Sequence, residues 1–174
     1  MGTRGITKVI HEDTVKVLQY GQFDHYPSGQ GVTAVQFLRH PHNVLRLIAG
    51  LENVHYPTND ELAVLTKPYT HGEHGMMTFE KGEKFIADYP SLSRETGTGI
   101  LDVIASADGL VPLVLDHGFE DDALFCEGVY TINLDTRTFT TKWDSKDYSF
   151  SFDELVALSD TDYAKRCADP VLVP

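Results

Sequence analysis

A chain of 174 residues, 41% hydrophobic and 23% charged, buries about 70% of its unfolded surface as one domain over residues 1–174, which excludes a disordered or fibrous protein. Asp and Glu number 26 against 14 Lys and Arg, for a net charge of −12. A surface of that sign repels phosphate backbones, so direct nucleic-acid binding is not expected; it could steer the chain toward a basic protein partner, although a merely solvated acidic surface is the commoner meaning of such a charge.

No apolar run approaches the roughly 18 residues that a membrane span needs, and no basic segment leads into an apolar one as in a secretory leader. Cys126 and Cys167 stand in no metal-binding spacing, as expected of free thiols in a reducing compartment. A cytoplasmic protein without membrane contact is the expectation. Nothing in the pattern speaks to oligomeric state.

Residues 6–10 and 14–20 are β-branched and alternating, and the polar connection 11–13 joins them, so the chain opens on a β-hairpin. In its second strand Val15, Val17 and Gln19 share one face, and Lys16, Leu18 and Tyr20 share the other. Residues 32–38 predict a helix with Val32, Val35 and Leu38 on one side. After His40-Pro41-His42, Asn43 is the expected N-cap of a helix over 44–49. A capped helix is expected over 59–65, a loop over 67–77 and a helix over 80–89 that stops at Pro90. A turn at 96–99 precedes a helix over 100–105, where Ile100, Val103 and Ile104 recur at helical period.

The last third reads differently. Residues 111–116 predict a strand with Pro112 near its start, where Pro is tolerated. Strands follow over 125–134 and 138–143, rich in Thr, Phe, Tyr and Ile, with a short edge over 147–152. A final helix runs from about residue 151 to Cys167. Segregated strands and helices define α+β. The sheet is expected to be mostly antiparallel, built from the N-terminal hairpin and a C-terminal β-meander, with helices packed against it.

Residues 19–31 concentrate polar groups beside Gly and Pro, and loops carry function more often than stability. Asp24 orienting His25 as a general base is the chemical reading. Gln19, Tyr20, Gln22, Asp24 and Tyr26, with Arg4, form the candidate binding set. The structural reading has Asp24 capping a turn while Tyr20, Phe23 and Tyr26 fill the core edge. His71, Glu73 and His74 are the candidate metal ligands, since zinc accepts two His and a carboxylate. His40 and His42 offer a second pair, and His117 joins either cluster only if the fold brings it there. Neither pair sits in a signature that fixes ligand geometry, so surface loops are the better reading and no cofactor is expected. Glu120, Asp121 and Asp122 lack a calcium-loop pattern and read as a solvated turn.

Gly2-Thr3-Arg4-Gly5, with Gln19-Tyr20-Gly21-Gln22-Phe23-Asp24, Tyr26-Pro27-Ser28-Gly29-Gln30-Gly31 and the hairpin around 130–135, resembles a group of bacteriophage and bacterial proteins without an assigned activity. The resemblance implies an accessory protein of phage or mobile-element type, inhibitors of bacterial defence systems included. A second likeness is to N-terminal nucleophile hydrolases of the bile-salt-hydrolase type, which present an Asp after the second strand, where Asp24 stands. That chemistry needs Cys, Ser or Thr at the N-terminus. Loss of Met1 exposes Gly2, so Thr3 would act as nucleophile only after further trimming. Two functions follow: binding of a macromolecule through an acidic surface, or a small-molecule or hydrolase site around residues 19–31.

Overall fold

The opening strands β1 (Gly5–His11) and β2 (Thr14–Gly21) pair antiparallel, and Glu12 and Asp13 turn the chain at positive φ, 53° and 55°. That is the backbone twist a tight hairpin requires. The structure, a computed structural model, describes residues 2–71, 76–122 and 124–169. Beyond the hairpin the chain makes a π-helical turn, Pro27–Gly31, and enters α1 (Val32–Leu38) and α2 (Pro41–Gly50). A peripheral segment follows: β3 (Val54–His55), α3 (Asn59–Thr66), the short antiparallel strands β4 (Thr70–His71) and β5 (Met76–Met77), and α4 (Phe79–Asp88). Next come α5 (Ile100–Ala105), β6 (Val111–Pro112) parallel to β3, and α6 (His117–Glu120). The meander β7 (Gly128–Asn133), β8 (Thr138–Trp143) and β9 (Lys146–Ser151) leads into α7 (Phe152–Ala157) and α8 (Asp160–Arg166).

Hairpin and meander join in one five-stranded sheet of order β2-β1-β7-β8-β9, antiparallel except where β1 runs parallel to β7. The protein is therefore α+β, as the segregated pattern indicates. One sheet face carries the main core. Val9, Val17, Tyr130, Ile132 and Phe139 pack there against Leu38, Leu47, Ile104 and Leu155 from the helices. The opposite face has a smaller cluster of Ile6, Leu18 and Val129, closed by Tyr20 edge-on to Phe119 of α6 at 4.7 Å. Among the described residues no helix is long and apolar enough to cross a membrane.

Several elements differ from the sequence reading, each for a local reason. The helix expected to start at Asn43 begins at Pro41, because Pro fits the first helical position, where no N–H is needed. The single C-terminal helix is two. Ser159 takes an extended backbone (φ −70°, ψ 157°) and accepts the Asp162 N–H, so its hydroxyl starts a new helix. The strand over 111–116 shrinks to two residues, since Pro112 has no N–H to extend the ladder. The loop over 67–77 contains the ends of the β4–β5 pair, and Cys126 lies ahead of β7 rather than within a strand.

Candidate functional site

Three glycines stand side by side across the sheet. Gly5 of β1 pairs with Gly21 of β2 on one side and with Gly128 of β7 on the other, and Gly128 pairs in turn with Trp143 of β8. With no side chains along this row, the sheet has a trough on its helical face, walled at one end by the indole. The His25 ring fills it. A Cβ on Gly21 would lie 2.0 Å from His25 Cε1, and one on Gly5 would lie 2.4 Å from His25 Cδ2. Tyr130 stacks on the ring at 5.8 Å and donates its hydroxyl to the His25 carbonyl at 2.7 Å.

His25 is fully buried. Its Nδ1–H donates to the Phe23 carbonyl at 3.2 Å, which fixes the tautomer and leaves Nε2 as a bare acceptor with no partner. Burial pushes its pKa down to about 4, partly offset by the bond to Phe23. The imidazole is thus neutral at ordinary pH, and Asp24 does not orient it. Asp24 sits exposed at φ 61°, its carbonyl accepting the Gln30 N–H at 2.9 Å and its carboxylate packed against Gly29. Here Asp24 is a turn former, and the pair is not a catalytic dyad.

The other residues of this stretch hold the loop to the fold. Gln19 is buried and donates to the Ser93 carbonyl at 3.1 Å. Tyr20 donates to Gln22 Oε1 at 2.5 Å, and the Gln22 N–H reaches the Arg94 carbonyl at 2.8 Å. Tyr26 leans on Trp143 at 5.5 Å. Gln30 Oε1 accepts the Thr98 N–H at 2.7 Å across Gly97, whose φ of 49° and lack of a Cβ let the amide approach. Thr3 is buried, and its carbonyl accepts the His25 N–H at 3.2 Å. Sequence reading missed the loop's far clamp: buried Asp169, which accepts the Ser28 N–H at 2.5 Å. It also missed the glycine row, since Gly5, Gly21 and Gly128 become neighbours only through strand pairing.

The accessible chemistry lies at the same end of the sheet, outside the loop. Arg4 places its guanidinium 4.4 Å over the Phe125 ring, and its backbone N–H donates to Glu127 Oε2 at 2.9 Å. Beside them opens a cleft of about 220 Å³ lined by Glu120, Asp121, Asp122 and Glu127 over Cys126 and Val129, with Lys142 and Ser145 completing the wall. Glu120 is paired with Lys8 at 2.7 Å, and Asp122 accepts the N–H groups of Leu124 and Phe125. Burial raises the Cys126 thiol pKa to about 11, which keeps it protonated at ordinary pH. Leu124 and Phe125 are 76% and 43% exposed next to these carboxylates.

Of the metal candidates, His71 is exposed at the end of β4, while Glu73 and His74 lie outside the described residues. His40 precedes α2, His42 lies in its first turn and His117 opens α6; among the described residues no three His, Cys, Asp or Glu side chains converge on a metal position. No protein-family model, curated protein or solved structure matches the chain.

Proposed function

We propose that this chain is an accessory protein of phage or mobile-element type that acts by binding a basic macromolecular partner through its acidic surface, inhibition of a bacterial defence system being a role of that kind. The observation that carries the reading is the surface itself. A net charge of −12 is joined, at the cleft of Glu120, Asp121, Asp122 and Glu127, by the exposed side chains of Leu124 and Phe125. Carboxylates give long-range attraction and register, and exposed apolar groups give contact area. The likeness of the opening and loop motifs to phage and bacterial proteins supports the same reading.

The competing reading, a small-molecule or hydrolase site around residues 19–31, loses its side chains to the fold. His25 is enclosed and Gln19 is bonded inward. The cavity that touches Gln19 and Tyr20 holds about 140 Å³, below the roughly 300 Å³ of ordinary ligand sites. The test is capture of a strongly basic probe protein at rising salt, with wild type beside Asp121→Lys. Asp121 is exposed and makes no ion pair among the described residues, so its reversal should leave the fold intact, which an unchanged melting temperature checks. Binding that weakens with salt and with the variant supports the proposal. Binding indifferent to both contradicts it.

A further inference from the structure

The peripheral segment between α2 and α5 is unlike the rest of the molecule. Neither α3 nor α4 buries a single residue, yet Val64 on α3 is 70% exposed. Between α3 and the chain leading into it runs an open groove of about 350 Å³, with Pro57, Val64 and Leu65 as its apolar part. Its polar lining is His55, Asp60 and Glu61, with no Lys or Arg, and α3 itself carries none among Asn59–Thr66.

Local hydrogen bonds tie the walls of the groove together. Thr58 and Glu61 form a capping box, in which Glu61 accepts the Thr58 N–H at 2.7 Å and the Thr58 hydroxyl accepts the Glu61 N–H at 3.3 Å. The second Glu61 oxygen meets His55 Nε2 at 3.3 Å, which ties the helix to β3. Asp60 and Val64 stand four residues apart, as do Glu61 and Leu65, so each apolar side chain is stacked one turn from a carboxylate. Among the described residues Asp60 has no ion-pair partner.

We infer that this groove docks an amphipathic helix of the basic partner, with its apolar face against Pro57, Val64 and Leu65 and a Lys or Arg on Asp60. Charge complementarity selects this occupant: Asp60 lines the groove without an ion-pair partner among the described residues, Glu61 adds a carboxylate already bonded to Thr58 and His55, and the lining holds no Lys or Arg, on a chain of net charge −12. Helix-in-groove recognition uses this combination of an apolar floor and a charged rim. The inference rests on the reading that the partner is basic, and adds where and in what form it is held.

The experiment uses the full chain and two probes of equal length and charge, a designed Leu/Lys amphipathic helix and a Ser/Lys peptide. The variants are Val64→Glu and Asp60→Lys in the groove, Val156→Glu as an exposed position outside it, and Asp121→Lys in the acidic cleft; melting temperatures confirm folding. The expected result is that the Leu/Lys helix binds wild type at least tenfold more tightly than the Ser/Lys peptide. Val64→Glu and Asp60→Lys each remove most of that gain, and Val156→Glu changes nothing. Leu/Lys binding that ignores Val64→Glu but falls with salt and with Asp121→Lys overturns the groove and leaves the acidic-surface reading standing. Failure of both probes at low salt overturns both readings. A concentration-dependent dimer that Val64→Glu abolishes makes a second copy the occupant and overturns the assignment to a basic helix.

Discussion

At the scale of single residues, the unusual group is His25, buried with Nε2 unpartnered in a trough that three glycines create. An unsatisfied buried acceptor costs about 1–3 kcal/mol, and each glycine in a strand costs roughly 0.5–1 kcal/mol against Ala. The arrangement is worth those costs because the ring fixes where the loop leaves β2. A Gly21→Ala Cβ meets the ring itself, so the substitution should destabilise by about 1–3 kcal/mol, as overpacking does. Combined with His25→Ala its cost should shrink, since the two nearest atoms belong to the ring, but not vanish, because the Gly97 Cα stays 3.0 Å from the added Cβ. Denaturant unfolding of the four proteins in this cycle checks it; additive effects would separate the glycine from the ring.

His25 also makes stability depend on pH. Its folded pKa of about 4 lies below the ordinary 6.5, so the unfolded chain takes up a proton first on acidification. The sign follows: stability is unaffected by this group above 6.5 and falls as pH drops toward about 4, at up to about 1.4 kcal/mol per pH unit. His25→Gln does not titrate. The stability advantage of wild type over that variant should therefore narrow across this window, and parallel profiles would contradict the burial argument.

At the scale of elements, the π-helical turn Pro27–Gly31 is held from the far end of the chain. Asp169 follows α8 and accepts the Ser28 N–H, and Thr141, Tyr163 and buried Cys167 lie behind the same turn. Gly31 lets Tyr163 approach, since a Cβ there would lie 2.5 Å from its hydroxyl. Asp169→Ala should cost about 1–3 kcal/mol through the abandoned donor. It should also raise hydrogen exchange at Ser28 and its neighbours more than in β7; a uniform change along the chain would mean that the clamp is not local. The hairpin, α1 and α5 were legible in the sequence because period and turn residues agree there. The break at Ser159 was less so, since a cap inside an amphipathic run looks like one more polar position.

At the scale of the whole molecule, the α+β class and the two antiparallel units, hairpin and meander, follow from segregated patterning. The parallel seam of β1 on β7 does not, because pairing over more than a hundred residues leaves no local trace. The candidate site was half legible for the same reason. Residues 19–31 announced themselves by density, yet only strand pairing shows that His25 is enclosed and that the exposed groups are Glu127, Phe125 and the neighbouring carboxylates. What remains accessible at this end of the sheet is carboxylates beside exposed apolar side chains, and the proposed binding of a partner rests on that combination.

The most direct measurement is the affinity of the full chain for a basic probe protein across an ionic-strength series, with Asp121→Lys alongside. The prediction is an affinity that falls steadily with salt, because the Debye length shrinks from about 10 Å at 0.1 M to about 3 Å at 1 M, and a shallower slope for the variant. A flat profile shared by both proteins would contradict the binding of a basic partner through the acidic surface.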